Sequence, residues 1–170
     1  MELTKETVLE LIKSGGYTPM TSVEILTRLE VPLEEINKFN LLLEELVNEG
    51  LIYKSKKRKY ALPSVFGIAV GELKLNARGF GFLVPEEDVW DGDIYIAAKD
   101  MNGAADGDRV VAEVLTEKDN GSRHYGKIER IIKRGSEVII GVLSIYGDNG
   151  VVTPDDPKFS HSIYIEKNNL

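Results

Sequence analysis

Apolar positions recur at helical spacing through the first part of the chain and alternate at strand spacing through the rest. Thr4 is placed to cap a first helix whose inner face is Val8, Leu11 and Ile12, ended by Ser14-Gly15-Gly16. Thr21 and Glu24 have capping-box spacing, opening a second helix with Ile25, Leu26 and Leu29 inward. Pro32 suits the first turn of a third helix spanning 33–49. Its apolar face is Leu33, Ile36, Phe39, Leu43, Leu46 and Val47, with Gly50 just past its end. Two short strand-like runs follow, Leu51-Ile52-Tyr53 and Tyr60-Ala61-Leu62. Three helices and a hairpin form the winged-helix pattern, predicted over residues 1–63.

Pro63-Ser64 reads as a linker, and the period then changes from helix to strand. Alternating runs are predicted at 67–74, 79–84, 93–96, 109–115 and 125–131, divided by turn residues such as Asp106-Gly107-Asp108 and the polar stretch 118–123. Five short strands predict a small barrel of the OB type over 65–134. The fold class is therefore α+β and multidomain.

A degenerate repeat extends this. Gly71, Gly81, Pro85, Glu86 and Glu87 recur as Gly141, Gly150, Pro154, Asp155 and Asp156, and Ile94-Tyr95-Ile96 as Ile163-Tyr164-Ile165. Residues 137–170 then read as the opening strands of a second, incomplete barrel. With no counterpart of Gly107-Asp108-Arg109-Val110, the chain is expected to stop inside a domain of a longer protein, and to do so as a monomer.

The stretch Ala77-Arg78-Gly79-Phe80-Gly81-Phe82-Leu83 carries the most specific chemistry. Strand alternation sets Phe80 and Phe82 on one face, and Tyr95 joins them if its strand pairs alongside. Leu83, Ile94, Ile96, Val110 and Val114 supply the inward set, which leaves the rings outward. Aromatic rings beside cations form a platform on which unpaired bases stack; Lys74, Arg78 and Lys99 are the candidate flanking cations. In the second copy Phe80 and Phe82 become Asn149 and Val151, so the first copy is expected to bind more strongly.

Charge adds one further candidate. The net charge is −7, unlike that of a general polyanion binder. Yet Lys54, Lys56, Lys57, Arg58 and Lys59 gather at the hairpin tip with no acid among them. Such a spot fits local, salt-sensitive phosphate contact. The predicted third helix is the reverse, with Glu34, Glu35, Glu44, Glu45 and Glu49 against Lys38.

Composition excludes several chemistries. The chain has no cysteine, so disulfides, thiolate metal sites and a cysteine nucleophile are ruled out, and a reducing, cytoplasmic setting fits. The charged start has no signal-peptide pattern, and no segment approaches a membrane span. Asp88, Asp91, Asp93, Asp106 and Asp108 lie in Gly-rich turn contexts, where Asp serves backbone hydrogen bonding rather than a metal. His124 and His161 read as isolated loop residues. No catalytic set is found, and none is assigned; the chain reads as a binding module. A winged-helix DNA-binding transcription regulator and a protein–protein docking module are the alternatives.

The order of parts is itself a signature. The Gly-Leu-Ile-Tyr and Tyr-Ala-Leu runs precede Gly-Phe-Gly-Phe-Leu, Asp-Ile-Tyr-Ile and Gly-Asp-Arg-Val, and a second related barrel begins. This resembles the N-terminal region of the ribonuclease R group in the ribonuclease II/RNB family, across essentially the whole chain. The resemblance implies a winged helix and cold-shock barrels ahead of a separate catalytic domain. That domain would use aspartates and magnesium for processive 3′-to-5′ hydrolysis of structured RNA to 5′-mononucleotides. The present residues would bind and guide single-stranded or structured RNA, be inactive alone, and leave the winged helix free for RNA or a protein partner. Arg78, Phe80, Phe82 and Tyr95 match the RNA-facing motif. Lys74 and Ala97 stand where cold-shock proteins carry Trp and His, which shrinks the stacking surface.

Overall fold

The computed structural model describes residues 2–116, 123–136, 138–159 and 161–170. Its contacts divide the chain into two compact units, Met1–Ala69 and Val70–Leu170.

The first unit holds three helices and a two-stranded sheet. Helix α1 (Lys5–Lys13) starts where the Thr4 hydroxyl accepts from the Thr7 amide. Helix α2 (Ser22–Arg28) carries the full capping box, Thr21 and Glu24 each accepting from the other's backbone N–H. Helix α3 (Ile36–Asn48) begins later than the periodicity predicts. Pro32 is followed by a 3-10 turn, Leu33–Glu35, closed by the Glu35 amide on the Pro32 carbonyl at 2.9 Å. That tighter winding turns Leu33 off the apolar face, and it is 83% exposed rather than inward.

Strands β1 (Tyr53–Lys54) and β2 (Tyr60–Ala61) pair antiparallel and are shorter than expected. Leu51 and Ile52 still donate to the Leu46 carbonyl, so they close the helix instead of entering the sheet. The core is Leu3, Val8, Ile12, Ile25, Phe39, Leu43, Leu46, Ile52 and Tyr60. Each such burial contributes roughly 1.5–3 kcal/mol. Pro63-Ser64 is not an open linker: Pro63 is buried and begins a 3-10 turn through Phe66.

The second unit starts within β3 (Ile68–Leu75). It continues through β4 (Gly81–Pro85), β5 (Ile94–Ile96), β6 (Arg109–Thr116) and β7 (His124–Lys133). These five strands close into an OB-like barrel in the order β3-β4-β5-β7-β6. Leu73, Leu83, Ile94, Ile96, Val110 and Ile128 fill it. Val114, expected inward, is only half-buried; it lies toward the end of β6, where Leu115 is already 43% exposed. The expected polar stretch lies outside the described residues except for Arg123.

Strands β8 (Gly141–Tyr146), β9 (Asn149–Pro154) and β10 (Ile163–Ile165) form an open antiparallel sheet in the order β10-β9-β8. Its registers repeat those of the barrel. Gly71 faces Pro85 and Gly141 faces Pro154; Phe82 faces Tyr95 and Val151 faces Tyr164. The shared glycines have a shared cause. A side chain on Gly71 would strike the Val84 carbonyl, and one on Gly141 the Thr153 carbonyl.

Candidate nucleic-acid interface

A tight turn aims the first ring. The Asn76 amide donates to the Phe80 carbonyl at 3.0 Å, and the Gly79 amide to the Asn76 carbonyl at 3.2 Å. Gly79 takes the left-handed conformation, φ 90°, that lets the chain reverse between β3 and β4. Phe80 emerges from this turn, and Phe82 follows on the same face of β4.

The antiparallel β4–β5 ladder then sets Tyr95 opposite Phe82. The Phe80–Tyr95, Phe82–Tyr95 and Phe80–Phe82 ring centres lie 5.6, 5.8 and 6.3 Å apart. All three residues are half-buried, whereas their strand neighbours Leu83, Ile94 and Ile96 are fully buried. The rings are thus seated on the barrel's outer face with surface left open. Directly opposite partners share a face, so Lys74, which faces Phe82, joins them at its exposed position on β3.

Arg78 and Lys99 are exposed, but no cation–π contact among the described residues ties them to the rings. Arg78 instead lines a cleft of about 940 Å³ with Ala98, Met101, Arg134, Lys158 and Phe159. Two of that cleft's cations are engaged: Arg134 with Asp108 at 2.9 Å and Lys158 with Asp106 at 3.3 Å.

Several neighbours of the platform escape the sequence reading. Tyr125 lies beside Tyr95 with ring centres 5.6 Å apart, and the Arg123 guanidinium stands 5.8 Å from the Tyr95 ring centre. His124 is not a loop residue. It opens β7 and packs edge-on against Trp90 at 5.6 Å. Their Nδ1 and Nε1 atoms are buried with no hydrogen-bond partner among the described residues. Tyr125 was visible as the start of a strand, but its register beside Tyr95 is a long-range property.

In the first unit, the basic tip is displayed by a turn through Arg58, which takes φ 59°. Lys56, Lys57, Arg58 and Lys59 are exposed, and Lys54 rests its ammonium 5.7 Å from the Tyr60 ring centre. Lys56, Lys57 and Lys59 line a cleft of about 530 Å³ with Pro19 and Phe66. The acidic helix α3 is partly offset by Lys5, whose ammonium meets Glu49 at 2.7 Å and Glu45 at 3.0 Å. Those two carboxylates, Glu49 foremost, raise the pKa of Lys5.

Two of the turn acids act on backbone. Asp106 accepts from the Leu75 amide, and Asp108 from the Ala105 and Gly135 amides. Among the described residues no group of three or more His, Cys, Asp or Glu is placed to hold a metal. Among the same residues no helix is long and apolar enough to cross a membrane.

The family model of the ribonuclease B OB domain matches residues 71–131, which covers the ring-bearing strands and the barrel closure. Ribonuclease R of Thermotoga maritima is 27% identical over 169 residues, 99% of this chain and 23% of its own length. Ribonuclease R of Acidithiobacillus ferrooxidans is 26% identical over 156 residues, 91% of this chain and 34% of its own. That of Escherichia coli is 26% identical over 163 residues, 95% of this chain and 20% of its own. The chain thus spans between a fifth and about a third of the length of these relatives. Among solved structures, the yeast pseudonuclease Ssd1 aligns with a TM-score of 0.49 at 20% identity, over 74% of this chain and 19% of that one. At that level the alignment bears on neither fold nor function.

Proposed function

We propose that the chain is part of a ribonuclease R/RNB-family protein and that its barrel is a landing platform for single-stranded RNA. The carrying observation is the trio Phe80, Phe82 and Tyr95, gathered within 6.3 Å on the outer face of a closed barrel. Every base has a π-face, so a stacking platform accepts RNA with little regard to sequence. Lys74 beside Phe82, with Arg78 and Lys99 exposed nearby in sequence, supplies cations for the backbone that the stacked bases carry with them.

In this reading residues 1–63 are a winged helix, 65–134 a first cold-shock-type barrel, and 137–170 the opening strands of a second. The tip cations Lys54, Lys56, Lys57, Arg58 and Lys59 make auxiliary, salt-sensitive phosphate contacts. Insertion of α3 into a duplex groove is disfavoured by its exposed Glu44 and Glu45, which repel phosphate. The 3′-to-5′ hydrolysis of RNA to 5′-mononucleotides, with magnesium, is proposed for a full-length cytoplasmic protein containing this chain. The chain itself binds without hydrolysing.

Replacing both Phe80 and Phe82 by Ala is expected to cost about 1–3 kcal/mol per lost stack. Fluorescence anisotropy with a labelled single-stranded oligoribonucleotide measures it. Unchanged affinity in the double variant removes the platform reading. Preference for duplex DNA over that oligoribonucleotide, at both low and high salt, would support a duplex-reading regulator instead.

A further inference from the structure

From the barrel's registers we infer that the platform does not end at Tyr95 but continues across β7, with Tyr125 as a further stacking position and Arg123, beside Tyr95, as a cation of the row. This rests on the RNA-platform reading and extends it to the length of strand held.

The ladders place one outward residue per strand in a single row. Lys74 on β3 faces Phe82 on β4, Phe82 faces Tyr95 on β5, Tyr95 faces Tyr125 on β7, and Tyr125 faces Leu115 on β6. Directly paired residues share a face, so the row crosses all five strands of the barrel. Three of its members are aromatic and consecutive, and their ring centres are 5.8 and 5.6 Å apart. Each ring meets the next at a steep angle, 68° and 82°. The rings therefore do not stack on one another and consume their faces. The step from Tyr95 to Tyr125 matches the step from Phe82 to Tyr95, so a strand laid across the sheet meets equivalent positions in turn.

Charge follows the same row. Lys74 stands at the Phe82 end, and the Arg123 guanidinium stands 5.8 Å from the Tyr95 ring centre, within the range of a cation–π contact. A guanidinium also offers a flat surface to a base and bidentate donors to a phosphate. Leu115, 43% exposed, continues the apolar row past Tyr125. The ligand is therefore an unpaired oligonucleotide crossing the strands, long enough to occupy both the Phe80–Phe82–Tyr95 group and Tyr125.

The test uses the full chain with labelled oligouridylates of three and six nucleotides. Tyr125→Leu keeps apolar packing without a ring, and Tyr125→Phe restores the ring. The leucine variant is expected to weaken hexamer binding about five- to 150-fold and leave the trimer unchanged, because three rings still serve it. The phenylalanine variant is expected to bind the hexamer like the parent. Arg123→Ala, at an exposed position, is expected to lower the slope of log affinity against log salt by about 0.7, one phosphate contact to a single strand. If Phe82→Ala weakens both lengths while Tyr125→Leu and Arg123→Ala change neither length nor slope, the extension is overturned and the platform reading stands. If Phe82→Ala also changes nothing, both fall.

Discussion

Asp108 holds a carboxylate at 1% exposure, and what it touches explains how the platform is held. One oxygen accepts from the Gly135 amide and the other from the Ala105 amide, each at 2.9 Å, and Arg134 Nη1 donates to the second at 2.9 Å. The Asp108 carbonyl also accepts from the Leu73 amide at 2.8 Å. One residue thus pins the turn before β6, the end of β7 and the middle of β3. Asp108→Ala leaves two amides without their acceptor and Arg134 with only the Gly103 carbonyl for its Nη1, and is expected to destabilise the second unit by about 3 kcal/mol in urea unfolding. A loss under about 0.5 kcal/mol would mean that water replaces the carboxylate, contrary to its burial. That Asp108 belongs to a turn is legible from Asp106-Gly107-Asp108. That its partners lie 26 and 27 residues on is not, since nothing local encodes them.

Elements were legible in proportion to how local their causes are. Helix α2 is the clearest case, because Thr21 and Glu24 are three residues apart and each satisfies the other's amide. Thr21→Ala is expected to cost about 1 kcal/mol in thermal or chemical unfolding of the first unit; no change would show that the box is idle in the folded chain. Where a tighter winding competes, the period misleads: Leu33 sits on the 3-10 turn and faces solvent. The strands were readable by alternation, and the outward setting of Phe80 and Phe82 with them. Pairing partners were readable only for the adjacent antiparallel strands β4 and β5. The β5–β7 junction is parallel, and parallel pairs need long crossovers that carry no turn signature. Tyr125 went unread for that reason.

For the whole molecule, the two halves of the repeat show one ladder carrying two surfaces. The open sheet keeps the registers of Gly71–Pro85 and Phe82–Tyr95 at Gly141–Pro154 and Val151–Tyr164, yet sets Asn149 and Val151 where the rings stand. It also leaves Leu143 and Ile163, the counterparts of Leu73 and Ile94, 47% and 37% exposed, whereas the barrel buries Leu73 and Ile94 completely. Few buried apolar contacts mean low local stability. Amides of Gly141–Ile165 are therefore expected to exchange with deuterium well before those of Leu73–Pro85; equal protection of the two would contradict that account. The parallel β5–β7 seam has a further, kinetic consequence. Tyr95 and Tyr125 are 30 residues apart in sequence, so closing that seam must meet a chain-entropy cost that the β3–β4 and β4–β5 hairpins escape. Phe80, Phe82 and Tyr95 can meet as soon as those hairpins form, while Tyr125 arrives with the seam. During folding the surface is thus assembled from its Phe end, and the arrival of its last ring reports that the β6–β7 pair has docked on the β3-β4-β5 strands.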